Sequence, residues 1–162
     1  MKYLSLICLV KICLILICTE NALAENATNY VLAENSTPAN IGLNTLYIED
    51  PEGIFSFDDI KNGKDWNQAP SEGVAAGFTQ SVYWLRFTVE NITQKTIPWN
   101  LEFAYSLLDE IEFYSPTKTG RYTKTLTGDH KPFSEREIKY RNIVLPLTSP
   151  PNSENTYYVR IK

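Results

Sequence analysis

Two aromatic–arginine pairs are the residues of this chain best suited to hold a small molecule. Trp84 and Arg86 lie two apart in the stretch Val82–Glu90, VYWLRFTVE, and Tyr158 and Arg160 repeat the spacing near the last residue. In extended backbone that spacing sets both side chains of a pair on one side of a sheet. An indole plane offers stacking area, and a guanidinium offers five fixed donors for hydroxyls or a carboxylate. Sheets grip sugar rings and other small polar ligands in this way. Glu112 and Tyr114 stand at the same spacing on a neighbouring stretch. A second reading stays open beside the first. In it Trp84 is covered by a helix or loop, and Arg86 pairs with Glu112 as a structural ion pair, necessary to the fold without touching a ligand.

Groups that could do covalent chemistry are scarce. His130 is the one histidine, it follows Gly128-Asp129 in turn-like sequence, and no G-x-S-x-G elbow presents a serine to it. The three cysteines, Cys8, Cys13 and Cys18, all fall in the first eighteen residues. Zinc would be left with carboxylates that it seldom uses alone. Asp50, Glu52, Asp58, Asp59 and Asp65 carry the hard oxygens calcium prefers, without EF-hand spacing. The expectation is a binding domain with no catalytic residue, no metal and no cofactor.

The N-terminus reads as a secretory leader. Lys2 is followed by a nearly unbroken apolar run to Cys18, and Ala22-Leu23-Ala24 has the small-x-small pattern that signal peptidase accepts. Lys11 divides the run below the roughly 20 residues of a membrane helix. Residues 1–24 are therefore expected to be removed, leaving a periplasmic chain without cysteine that cannot be a disulfide scaffold. Without Lys2, Lys11 and Glu20, 13 basic and 18 acidic side chains remain, a net charge of −5 with no basic stripe for nucleic acid.

Residues 25–43, rich in Asn, Ala, Ser and Thr, read as a loose tether. Beyond it, short alternating stretches bounded by turn residues predict strands at Leu46–Glu49, Val82–Glu90, Trp99–Tyr105, Asp109–Tyr114, Arg121–Leu126, Asn142–Leu147 and Tyr157–Ile161. One helix is expected, opened by a capping box in Ser56-Phe57-Asp58-Asp59 and closed at Gly63. Strands without alternating helices mean an antiparallel arrangement. The predicted fold of residues 44–162 is an all-β, jelly-roll-like antiparallel sandwich with one short helix.

The order of these pieces resembles a known family. Tyr47–Asp50 (YIED), the short helix, Asp65-Trp66, Gly77-Phe78, Tyr83–Asn91 (YWLRFTVEN) and Leu107–Tyr114 (LLDEIEFY) come first. Thr127–Asp129, Pro132–Arg136 (PFSER), Val144–Leu147 and Tyr157–Arg160 (YYVR) follow. Together they are similar to the type 2 extracellular domain of bacterial seven-transmembrane receptors with diverse intracellular signalling modules. The resemblance implies a sandwich like those of carbohydrate-binding modules, facing the periplasm ahead of the receptor's own membrane helices and an intracellular output domain. It carries over no catalytic residue. Trp84 and Arg86 match its W-L-R segment, and Arg136 and Arg160 match its later arginines, with Glu112 and Arg136 expected to be structural. With Lys162 on the final strand, the sequence reads as part of such a receptor, a truncated frame or a stand-alone relative. Its expected function is sensing a small polar or saccharide-like ligand; a protein-interaction module without a small-molecule site is the alternative.

Overall fold

The computed structural model describes residues 29–70, 74 and 79–162. The leader with its cleavage site, and Gly77-Phe78, lie outside the described residues. Nine strands are present among those described: β1 (Tyr30–Leu32), β2 (Leu46–Asp50), β3 (Asn67–Gln68), β4 (Val82–Asn91), β5 (Ile97–Phe103), β6 (Ile111–Pro116), β7 (Tyr122–Thr127), β8 (Ile143–Ser149) and β9 (Ser153–Ile161). One α-helix, α1 (Phe57–Gly63), lies between β2 and β3.

Seven strands form the larger sheet in the order β3-β2-β4-β9-β6-β7, with β1 beside the far half of β4; β5 and β8 form the second sheet. Alternation along β4 explains the layering. Leu85, Phe87 and Val89 point toward the β5–β8 pair, with Phe113, Tyr157 and Val159 from neighbouring strands and Leu101, Ile143 and Leu145 from the second sheet. That is the inter-sheet core of a predominantly antiparallel sandwich, as the sequence predicts. All seven predicted strands are present, with shifted ends.

Two elements depart from expectation. Tyr30–Leu32, read as tether, is a strand paired parallel to Val89–Asn91 of β4, and Leu32 is buried in the core. Three residues are too few to display a period of two, so the polar composition around them decided the reading. Asn67–Gln68 is likewise a strand, paired with the start of β2.

The opposite face of the larger sheet is a second apolar layer in which Ile60 of α1 meets Ile48, Val82, Trp84, Tyr114 and Tyr158, with Phe55, Phe57 and Trp66 packed around them. Asp50 and Ser56 fix the approach to this helix. The buried Asp50 carboxylate accepts from the backbone N–H of Ile54 and Phe55 at 3.1 and 2.9 Å. Ser56 Oγ accepts from Asp59 N at 3.2 Å, and the Asp59 carboxylate accepts from Ser56 N at 2.9 Å, completing the predicted capping box. Two bonds from Ser56 hold the Asp59 carboxyl below its usual pKa, the hydroxyl contributing more than the backbone N–H.

A buried polar clip ties the opposite end together. Asn91, fully buried, donates through Nδ2 to the carbonyls of Lys95, Ser149 and Pro150 and accepts from Thr93 N and Oγ1. It thereby joins the β4–β5 and β8–β9 turns.

Candidate functional site

Pairing places the expected site residues in adjoining rows of one face. Trp84 stands opposite Arg160, and Arg86 opposite Tyr158, across β4 and β9. Glu112 stands opposite Arg160, and Tyr114 opposite Tyr158, across β6 and β9. All six point away from the inter-sheet core, and Phe57 and Ile60 of α1 pack onto that face.

Trp84 lies beneath the cover, only 1% exposed and stacked with Tyr114 at 5.9 Å. Its indole Nε1–H has no hydrogen-bond partner among the described residues. Of the two readings open for Trp84, cover by the helix is the one found and a plane offered to solvent is not: period-two geometry gives the face but not what rests on it. Phe57 is that cover, parallel to Tyr114 at 4.1 Å between centroids and edge-on to Tyr158 and Tyr122. Tyr158 is buried with them.

The two arginines lie beside segments that follow and precede α1. Arg86 rests its guanidinium over Trp66, 4.7 Å from the ring centroid, just after α1 in the chain. Trp66 thus takes the place beside Arg86 that the sequence assigned to Trp84; the Asp65-Trp66 pair was visible, but nothing in its spacing tied it to Arg86. Arg160 lies on the side of Gly53, before α1, with Nη2 3.9 Å from where a β-carbon on that glycine would stand.

Arg160 is the better-built centre. Its side chain is 16% exposed and reaches the Glu110 and Glu112 carboxylates at 3.3 and 3.6 Å. Glu112, 15% exposed, also meets Lys124 at 3.4 Å and accepts from the Tyr114 hydroxyl at 2.5 Å. The cation that the register sets beside Glu112 is therefore Arg160, in the place where the sequence suggested Arg86. The two glutamates and Lys124 border a hollow of about 180 Å³, lined also by Leu126, His130 and Lys131, with Arg160 in contact with both glutamates. A larger, shallower groove of about 530 Å³ lies on the second sheet between Pro98, Trp99, Pro146 and Glu137, and none of the expected site residues lines it.

Arg136 lies within the loop that follows β7. Its Nη1 donates to the carbonyls of Tyr140 and Arg141 at 3.2 and 3.1 Å, its Nη2 lies 3.8 Å from Asp129, and its guanidinium lies 5.4 Å from the Phe133 ring. Lys139 adds three donations to carbonyls of the same loop. His130 is exposed, 3.6 Å from Asp109.

Burial, followed by the bond to Glu112, pushes the Tyr114 hydroxyl far above its ordinary pKa. Burial, followed by Tyr158, raises Tyr122 to about 12. A group that keeps its proton longer when folded stabilises fully below the unfolded pKa near 10 and loses that contribution as pH rises through the folded value. Stability is expected to hold to about pH 10 and then fall, by roughly 1.4 kcal/mol per pH unit for each tyrosine still protonated. Urea midpoints at pH 9, 10 and 11 check this; a flat profile would contradict the covered aromatic layer.

The described residues thus form a two-sheet sandwich with a small charged hollow on its larger sheet. The family model 7TMR-DISM extracellular 2 matches residues 43–162, and the chain belongs to that family of extracellular sensory domains of seven-transmembrane receptors. Comparisons with curated proteins and with solved structures find no match. Membership points to an extracytoplasmic location, and no helix among the described residues is long and apolar enough to cross a membrane.

Proposed function

We propose that this chain is the periplasmic ligand-binding portion of a transmembrane signalling receptor, without catalytic activity, and that it takes a saccharide-like or other small polar ligand at the Glu112 hollow. One observation carries the reading: a largely buried glutamate, held from behind by the largely buried Arg160, opens onto a space of about 180 Å³. Lys124, Lys131, Glu110 and His130 converge there, so donors and acceptors of both signs face one small volume. Such mixed polarity suits a hydroxyl-rich or zwitterionic molecule, and Leu126 supplies an apolar wall. Arg86 over Trp66 offers a second, more open contact. In the revised site Trp84 and Tyr158 form the floor under the helix, while Glu112, held by Arg160, and Arg86 make the polar contacts.

Thermal-shift screening against neutral sugars, uronic acids, polyols and amino acids tests this. A ligand at a hundred times its Kd stabilises by about 2.7 kcal/mol, a rise of several degrees. Arg160→Gln should abolish the rise with the fold intact by circular dichroism. Should no compound shift the melting temperature, a protein-interaction role becomes the better reading. Exposed Tyr105, Leu107, Phe133 and Tyr140 favour that role, carried on two loops tied by Asp129 N to Leu108 O and His130 N to Asp109 O.

A further inference from the structure

The family match begins at residue 43, yet the sheet is not finished by what it covers. β2 occupies the edge of β4 only from Val82 to Arg86. The remainder of that edge, Val89–Asn91, is covered by β1, from outside the matched region. Leu32 is 4% exposed there, in the same core as Phe87 and Val89, and Tyr30 packs against it. The rest of the arm is loosely held. Ala33 to Asn40 are exposed at every position and include Pro38, and their fastenings are a local turn, the Tyr30 hydroxyl on Thr37 O, and an exposed Lys95–Glu34 pair. β1 is thus a three-residue ligand with one apolar anchor, on an eight-residue exposed leash.

We propose that the Val89–Asn91 edge is an exchangeable strand-acceptor site, and that the Tyr30–Leu32 arm of a second copy of this chain fills it, joining two domains by reciprocal exchange. The second copy is the fitting occupant because it carries the same Tyr-Val-Leu segment and makes every contact that the chain's own arm makes. With contacts equal, the leash and the concentration decide. A flexible leash of this length gives the chain's own arm a millimolar-range effective concentration. The separate chain is therefore a monomer when dilute, and exchange sets in where copies are crowded together.

Deleting Ala33–Asn40 tests the proposal in the full chain. Leu32 pairs at Asn91 and β2 begins at Arg86, about 17 Å back along β4. The five residues left between them give six Cα steps, at most about 22 Å fully extended, and reversing direction uses about three of those steps, which leaves too little to cover the distance. The deleted chain cannot dock its own arm but can dock another's. Light scattering on a sizing column should give twice the chain mass at every concentration, and Leu32→Asp added to the deletion should return a monomer. A monomeric deletion variant, or a dimer that survives Leu32→Asp, would overturn the proposal. Should the deletion not fold, the undeleted chain decides. Mixed dimers between tagged and untagged copies at high concentration, lost in Leu32→Asp, support exchange; a monomer at all concentrations rejects it.

Discussion

Trp84→Ala is expected to cost about 3–5 kcal/mol, the range for removing a large aromatic from a packed interior. Trp84 is buried between the β4–β9 ladder and α1, against Tyr114, so the cavity it leaves has rigid walls. For a domain of this size that loss lowers Tm by about 10–20 °C. Trp84→Phe should cost much less, because it keeps a ring in the layer and removes an indole N–H that has no partner. Urea denaturation of the three proteins checks both statements. Were Trp84→Ala nearly as stable as the parent and only its ligand response lost, the residue would be a contact surface after all, and α1 would have to lift away in solution.

Gly128→Ala should be the most damaging single-methyl addition. Gly128 has φ of +136°, and a β-carbon there would stand 2.2 Å from the Asp109 carbonyl oxygen and 2.9 Å from Glu110 Cα. Both obstacles are backbone, so no side-chain rotation relieves them. Strain at this φ and forced displacement together predict a loss of about 3 kcal/mol or more. Gly120 is the control. Its φ is +75°, but nothing lies within 4 Å of an added β-carbon, so Gly120→Ala should cost only about 1–2 kcal/mol of local strain. Chemical unfolding of both variants separates close approach from conformation. Glu110 also exchanges both backbone hydrogen bonds with Lys162, so Gly128→Ala should loosen the end of β9, visible as faster amide exchange at Lys162.

What could be read before the structure divides along a physical line. β4 was legible because ten residues alternate cleanly, and α1 because its first turn announces its own hydrogen bonds in Ser56 and Asp59. Those signals are local. Trp84 was assigned the correct face, and whether it lay open or covered stayed undecided, because what covers a face is decided by a segment more than twenty residues away. The same ignorance offered Arg86 the partner that Arg160 holds and left Trp66 untied to Arg86. β1 escaped because a short strand outside a repeating pattern has only its tertiary neighbours to declare it. Composition set the expectation of a binding domain, and the placement of its charges waited on the register of β9 with β6.

Lys162 follows directly on β9, and β9 is flanked on both sides, by β4 from Tyr83 to Asn91 and by β6 from Ile111 to Tyr114. A pull on Lys162 along that axis loads both ladders in shear, so the bonds must yield together, unlike the one-by-one peeling of an edge strand. Arg160 is two residues from that point, on the same stiff rod. The sandwich is built at this corner like a spindle in a tight bearing: a shift of the β9 backbone at Arg160 has to carry Lys162 with it or break rungs on both sides.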